Sequence, residues 1–307
     1  MKKIPVMLHG FGNIGRMALR AVEASPDLEC LGVVRGRARP GAADPDLRGA
    51  PDFRHFDELV ASRGRPEVAI LCAPTRLVPE IAERYLAAGL HTIDSFDIHA
   101  EIPALLEKLS ARAVQAGRAA VVAAGWDPGT DSVLRALFEA MVPVGATFTN
   151  FGRGRSLGHS AAVRAADGVA DAISLTLPLG GGRHARLACI LPEPGASREA
   201  IEAQVRKDPY FTHDPLEIRF VDSAAELASA ADHSHGVRME RTGASSSASN
   251  QQLTFDMRID NPALTGQVLA AAARAAVGLK PGAYTLIDIP PVMLLPGDRM
   301  GHIARLV

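Results

Sequence analysis

Two aspartates stand beside aromatic residues, in Ile93-Asp94-Ser95-Phe96-Asp97 and in Gly125-Trp126-Asp127-Pro128-Gly129, the second holding the only tryptophan. Each segment lies where a short apolar run should end. A carboxylate there can hold an ammonium by charge and take a proton from it, which is what removing hydride from an amine-bearing carbon asks of a protein. The same spacing also suits turn and N-cap chemistry, and Asp127 before Pro-Gly is an equally good turn residue. Further along, Thr176, Arg186, His235 and Asn261 supply hydroxyl, guanidinium, imidazole and amide groups. Such donors suit a carboxylate. Sequence spacing does not bring these four together, and each taken singly reads as structural.

A third group is more specific. Gly10-Phe11-Gly12-Asn13-Ile14-Gly15 fits G-x-G-x-x-G between a predicted strand and a predicted helix. The first glycine permits the tight turn, the second lets backbone approach a pyrophosphate, and the third lets helix and strand pack closely. About 20 residues on, an NAD enzyme places an acid for the ribose 2′-hydroxyl. Here the segment reads Val34-Arg35-Gly36-Arg37-Ala38-Arg39. Guanidinium binds a 2′-phosphate bidentately where an acid would repel it. NADP is therefore the expected cofactor, with Arg35 and Arg37 as contacts; the bland alternative is a solvated basic loop. Cys72, Pro74 and Thr75 end a later strand and join Gly10, Gly12, Asn13, Ile14 and Gly15 in the expected cofactor set. An ordinary loop is the alternative for Thr75.

These residues need a frame. The chain has 307 residues, 47% hydrophobic and 22% charged, enough for two cores. A net charge of −1 gives no general attraction to nucleic acid or anionic membrane. Cys30, Cys72 and Cys189 form no CxxC and read as reduced thiols of a cytoplasmic protein. The opening MKKIPVMLHG is too short for a signal segment and reads as a first strand. No apolar run reaches the ~18–20 residues of a membrane span. No metal site is expected.

Strand patterns at Ile4–Leu8, Leu31–Val34, Glu67–Cys72, His91–Ile93 and Ala119–Ala123 alternate with helical ones at Arg16–Ala24, Phe56–Ser62, Val78–Ala88 and Glu101–Gln115. This alternation predicts βαβ units and a doubly wound parallel sheet. After Gly125 the pattern changes. Alternating stretches at Thr147–Phe151, Ala172–Leu177, Ala185–Leu191, Ile218–Val221, Val237–Arg241 and Gln252–Ile259 predict an antiparallel or mixed sheet. Helices are expected near Ser132–Met141, Ser160–Ala165, Arg198–Lys207 and Thr265–Val277, and Ala244–Asn250 reads as a polar loop. Tyr284–Ile289 reads as a strand returning to the first sheet, since a lone strand needs partners for its backbone. The expected organisation is a Rossmann-type domain from 1–125 and 280–307, plus an α+β substrate and dimerisation domain from 126–279.

GFGNIGR at 10–16, IDSFDIH at 93–99, AGWDPGTDS at 124–132, GRGRSLGHSAAVR at 152–164, SLTLP at 174–178, HGVRMER at 235–241 and DNPALT at 260–265 together resemble the meso-diaminopimelate dehydrogenase family, over essentially the whole chain. The resemblance is to the shorter members. It implies an NADP enzyme, usually a homodimer, acting on a small molecule. The D-carbon of meso-diaminopimelate is oxidised to an imine, and water opens this to a keto acid with release of ammonia, reversibly. It implies that Asp94 and Asp127 face the reacting amino end, that Trp126 and Phe151 wall the pocket, and that Thr176, Arg186, His235 and Asn261 clamp the distal L-end. Asp97, Ser156 and Gly158, inside the matched motifs, join the substrate-binding set.

Some residues depart from the family pattern. Gly152-Arg153-Gly154-Arg155-Ser156 replaces a loop that commonly holds proline and an apolar residue, which would put two extra cations near the pocket mouth. His9 stands where the first strand is usually apolar. Gly36 separates Arg35 and Arg37, where a second adjacent arginine is common. The resemblance leaves room for a broader NADP-dependent D-amino acid dehydrogenase on the same scaffold. A dihydrodipicolinate reductase would need a His-rich catalytic stretch with lysine, which the chain lacks. A non-catalytic NADP sensor is disfavoured by the intact acids.

Overall fold

The computed structural model describes residues 3–36, 44–152, 154–180, 182–230 and 235–307. These form two compact units, Met1–Leu134 with Pro262–Val307, and Arg135–Asn261.

The first unit begins with β1 (Ile4–His9), α1 (Asn13–Ala24), β2 (Leu28–Val34), β3 (Asp52–Phe53), α2 (Phe56–Arg63) and β4 (Val68–Leu71). It continues with α3 (Val78–Ala87), β5 (His91–Asp94), α4 (Ile102–Ala116), β6 (Ala119–Val121) and the start of α5 (Thr130–Met141). All four residues of β4 are apolar and buried, as a central strand covered on both faces requires. Successive residues feed opposite faces. Val6, Leu8, Val68 and Ile70 join one core, while Met7, Ala69 and Leu71 join the other with Tyr85, Leu86 and Leu109. α3 closes as its spacing predicts, with Gly89 at φ +75° just beyond it.

The second unit holds β7 (Val144–Phe151), β8 (Gly154–Ser156), α6 (Leu157–Arg164), β9 (Val169–Gly180), β10 (Arg183–Pro192), α7 (Arg198–Lys207), β11 (Leu216–Phe220), α8 (Ala224–Ala230), β12 (His235–Ser245) and β13 (Ala248–Ile259). Among the described residues β11-β10-β9-β8 make one sheet and β13-β12-β7 a second. Even-numbered residues of β9 and β10 share one face of the first sheet. At one end of that face Ala172, Ala188 and Ile190 pack with Val163 of α6 and with Ile201 and Val205 of α7. At the other end the same face turns polar, with Thr176 opposite Arg186 and His184 opposite Pro178. Ile173, Leu175 and Leu187 cover the opposite face with Leu227 of α8.

α9 (Asn261–Ala276), β14 (Gly282–Tyr284) and α10 (Arg299–Leu306) complete the chain. β14 pairs in parallel with β6 and closes the sheet order β14-β6-β5-β4-β1-β2-β3. The returning strand thus exists, but it is shorter and earlier than Tyr284–Ile289. Asp288 accepts from the Thr285 backbone N–H and hydroxyl, turning the chain into a 3₁₀ segment at Leu286–Asp288.

The unit boundaries also differ from those read in the sequence, since 126–134 and 262–279 lie in the first unit. α9 is alanine-rich because it packs backbone to backbone. A Cβ on Gly266 would stand 2.6 Å from the Ala18 N of α1. The stretch 244–250 is a hairpin tip rather than a loop. Ser245 pairs with Ala248, and Ser246 takes a φ of 54°.

Candidate active site

In the first unit every strand of the sheet is parallel, so the strand ends that carry the sequence candidates share one edge. β1 has β2 on one side and β4 on the other, which makes the gap beyond β1 and β4 the topological switch point, where nucleotides bind in such sheets. Gly10 has φ +96°, and a Cβ there would lie 2.5 Å from the Cys72 carbonyl oxygen. A Cβ on Gly15 would lie 2.6 Å from the Gly10 oxygen. Gly12 has open space where its Cβ would be. No side chain caps α1 and no acid stands in its first turn. The loop thus presents unsatisfied N–H groups and a positive helix end to an exposed space at Gly12 and Asn13, which fits a pyrophosphate. Ile14 is packed against the core.

At the end of β2, the Arg35 guanidinium lies 5.3 Å from the Phe11 ring centre, beside the glycine loop. Asp52 accepts from its Nε and Nη2 at 3.0 and 2.8 Å, and Asp44 from its Nη1 at 2.8 Å. The hydrogen bond from Arg35 holds the Asp44 carboxyl below the usual range. The sequence showed no acid beside Arg35; its two partners come from residues 9 and 17 positions away. Arg37 lies outside the described residues. At the end of β4, burial pushes the Cys72 thiol up to about 12, so it stays protonated. Pro74 is exposed, and the Thr75 hydroxyl accepts from the Asp97 N–H at 3.2 Å, tying the β4 and β5 loops together.

His9, the polar departure in β1, is absorbed by α3. Its Nδ1 shares a 2.8 Å hydrogen bond with the Tyr85 hydroxyl, and burial lowers its pKa to about 4. The neutral ring gives a buried phenol its partner.

Asp94 ends β5 and is 1% exposed. Its Oδ1 accepts from the Phe96 and Ala123 N–H groups at 2.9 and 3.0 Å. Ala123 has φ 56°, a costly conformation for alanine that this bond helps hold. Its Oδ2 is buried with no hydrogen-bond partner among the described residues. Burial raises its pKa from 3.8 to about 6. A carboxyl poised there exchanges a proton near neutral pH. Asp127 is half-buried in a loop that closes on itself. Gly125 N–H donates to the Pro128 oxygen at 3.1 Å, and Gly129, at φ +146°, passes too close to Gly125 for any side chain. Trp126 is 4% exposed, and its carbonyl accepts from Asp131 N–H and the Thr130 hydroxyl.

The second unit collects the donor set. Arg186 Nη1 donates to Thr176 Oγ1 at 2.5 Å, and its Nε to Asp214 Oδ2 at 2.9 Å. His184 Nε2 approaches the same Asp214 oxygen at 3.0 Å. Phe151 stands edge-on to His184 with centroids 5.5 Å apart and lies 6.2 Å from His235. A Cβ on Gly154 would strike His235, so this glycine is what lets β8 pass the imidazole. Asn261 donates through Nδ2 to the Arg155 carbonyl at 3.3 Å, and Ser156 Oγ bonds His159 Nδ1 at 2.8 Å ahead of Gly158 in the first turn of α6.

Phe151, Thr176, Arg186 and His235, far apart in sequence, are therefore neighbours, whereas Asn261 and Ser156 enter through different partners. Of the two loop cations, Arg155 does not join this group. Arg153 lies outside the described residues, and Arg155 pairs with Leu175, which directs its side chain to the sheet face opposite Thr176. Sequence reasoning missed His184 and Asp214. Alternation along β10 could have found His184, two residues before Arg186; Asp214 carries no local signal.

A glycine loop at the switch point of a parallel sheet, with acids at neighbouring strand ends, defines a nicotinamide-dependent oxidoreductase. Residues 4–94 match the oxidoreductase family with NAD-binding Rossmann fold, and residues 125–182 match the diaminopimelic acid dehydrogenase C-terminal domain. The meso-diaminopimelate D-dehydrogenase of Bacteroides fragilis is 44% identical over 307 residues, all of both chains. That of Ureibacillus thermosphaericus is 32% identical over 96% of this chain and 97% of its own. The chain belongs to the meso-diaminopimelate D-dehydrogenase family. Among solved structures, an engineered D-amino acid dehydrogenase bound to NADP⁺ superposes with a TM-score of 0.89 at 28% identity, covering both chains fully. The C. glutamicum diaminopimelate dehydrogenase in complex with diaminopimelate gives 0.86 at 29%, again over both chains fully. A dihydrodipicolinate reductase from Paenisporosarcina, at 13% identity and a TM-score of 0.52, shares the fold alone.

Proposed function

We propose that this chain catalyses the NADP-dependent, reversible oxidative deamination of the D-centre of meso-2,6-diaminopimelate to L-2-amino-6-oxopimelate and ammonia. The cofactor, when bound, accepts the hydride that leaves the D-carbon. The observation that carries the reading is that Thr176, Arg186, His235 and Phe151 gather in the second unit, a set of donors whose chemistry suits a carboxylate. A substrate with two alike ends can be read at one stereocentre only if the other end is also held, and positioning groups of this kind do that.

Gly10, Gly12, Asn13 and Gly15 would hold the pyrophosphate, and Arg35, beside the loop, would take the 2′-phosphate in exchange for its Asp44 partner. Asp94 and Asp127 would hold the ammonium and take up the proton lost as the amine becomes an imine. Water then adds to the imine carbon, and the carbon–nitrogen bond breaks to release ammonia. Asp94, whose buried Oδ2 has no hydrogen-bond partner among the described residues, supports the proton-exchanging role. Ser156 and Gly158, at the N-terminus of α6, would bind a substrate carboxylate.

The likeness to an NADP⁺-bound D-amino acid dehydrogenase supports a second reading, a broader D-amino acid specificity. Reductive amination separates the two. L-2-amino-6-oxopimelate, with ammonia and NADPH, should be consumed far faster than pyruvate; equal rates favour the broader enzyme.

We also infer a homodimer. Leu137, Met141, Val144 and Phe148, close in sequence, are exposed apolar side chains of the second unit, Val144 at 71%. Such a strip suits a copy of itself, and sedimentation would report it.

A further inference from the structure

We propose that Asp214 is a positioning residue of the distal-end clamp and that His184 is an additional member of that clamp, held through the same carboxylate. The proposal rests on the diaminopimelate reading above. Four observations carry it. First, one oxygen of Asp214 serves both side chains, 2.9 Å from Arg186 Nε and 3.0 Å from His184 Nε2. Second, the guanidinium is fixed at two points, since its Nη1 donates to Thr176 Oγ1. An arginine pinned at Nε and Nη1 by different elements has its plane set before any ligand arrives, so little rotamer freedom is left to lose on binding. Third, Asp214 is itself anchored. The next residue, Pro215, accepts from the Arg186 backbone N–H at 2.8 Å, which starts the parallel pairing of β11 with β10. Fourth, His184 stands edge-on to Phe151, which lies beside His235. Its ring therefore belongs to the group that would surround the far end of the substrate.

The charges agree with this. Arg186 against a lone substrate carboxylate would rely on one side chain free to swing. With Asp214 behind it, the guanidinium keeps one orientation toward a substrate carboxylate. The aspartate also fixes the His184 tautomer, because Nε2 must carry the proton that points at Oδ2. Asp214 is thus argued to act through Arg186 and His184 and not to touch the substrate.

The test compares two substrates that differ only at the far end. D-lysine is meso-diaminopimelate without the distal carboxylate. On the NADP-loaded enzyme, Asp214→Asn is expected to raise KM for meso-diaminopimelate at least tenfold, with kcat within about threefold. The binding of D-lysine, measured as KM or, where turnover is slow, as an inhibition constant, should stay within twofold. Asp214→Glu should recover part of the loss, and His184→Gln should weaken meso-diaminopimelate by a smaller factor, again sparing D-lysine. Equal weakening of both substrates would make Asp214 merely structural and overturn the proposal, as would an unchanged KM for meso-diaminopimelate. Where Asp214→Asn does not fold, the Asp214→Glu and His184→Gln comparisons decide by the same two-substrate criterion. Absence of turnover of any diaminopimelate isomer by the unaltered enzyme overturns the functional reading itself, and with it this one; that result is seen before any variant is compared.

Discussion

The two units hold their candidate residues in different ways. In the first, the site is made mostly of backbone: a loop in which Gly10 and Gly15 leave no room for a side chain, a helix N-terminus, and carboxylates fixed at the ends of parallel strands. In the second, it is made of side chains from separate strands bonded to one another, Thr176 to Arg186 to Asp214 to His184. A backbone site demands particular residues at particular spacings. A side-chain network demands only that strand pairing bring the right groups together. The first kind should fail by geometry when mutated, and the second by loss of one substrate's affinity.

The largest effect is expected at the point where the backbone and side-chain styles meet. Asp94→Asn keeps an oxygen for the Phe96 and Ala123 N–H groups, so the chain should fold, but kcat/KM should drop by roughly 10³, within the ordinary range for a lost acid–base group. The pH behaviour has two opposite signs. Activity that needs the anion should fall as pH drops below about 6. Stability should move the other way. The folded carboxyl binds its proton more tightly than the unfolded one, so this group's stabilisation is complete below the unfolded value of 3.8 and is lost as pH rises through about 6. Relative to Asp94→Asn, the unaltered chain should therefore gain about 2 kcal/mol between pH 7.5 and 4.5 in denaturant unfolding. An unchanged difference would remove burial as the cause.

Next comes Arg186→Gln in the side-chain network. Truncating a buried, hydrogen-bonded charge costs about 2–5 kcal/mol where a ligand depends on it, so KM for meso-diaminopimelate should rise by roughly 10². The KM for NADP should not move. A comparable rise in both would mean that the network supports the fold and not the substrate.

Smaller still is Gly12→Ala. Nothing lies within 4 Å of the added carbon, so the melting temperature should hold. KM for NADP should rise about tenfold, because the methyl occupies space meant for the pyrophosphate. Gly15→Ala is the contrast, since its Cβ meets the Gly10 oxygen at 2.6 Å and stability should fall with affinity. If the two variants behave alike, the loop is a structural turn and not a cradle.

The same division explains what was legible in the sequence. β4 and β10 declare themselves by apolar runs and alternation, and Gly10, Gly12 and Gly15 by spacing, because local physics dictates those residues. Arg35 was visible as a cation. Its engagement by Asp44 and Asp52 was not, since both reach it only after the chain has turned. Asp214 is a single acid in a loop, and only the pairing of β11 with β10 puts it against Arg186. α9 looked like part of the second unit because it follows β13 directly. Its small residues pack on α1, a relation that periodicity cannot carry. The missed turn at Ser245–Ala248 has a similar origin, since serines tolerate both loops and hairpin tips.

The most direct measurement is NADPH formation from NADP⁺ with meso-, LL- and DD-diaminopimelate supplied separately. The proposed reading, in which a D-centre reacts while an L-centre is held, predicts turnover of the meso isomer, none of the LL isomer, and at most weak turnover of the DD isomer. Equal rates on meso and DD isomers, or turnover of none, would contradict the account.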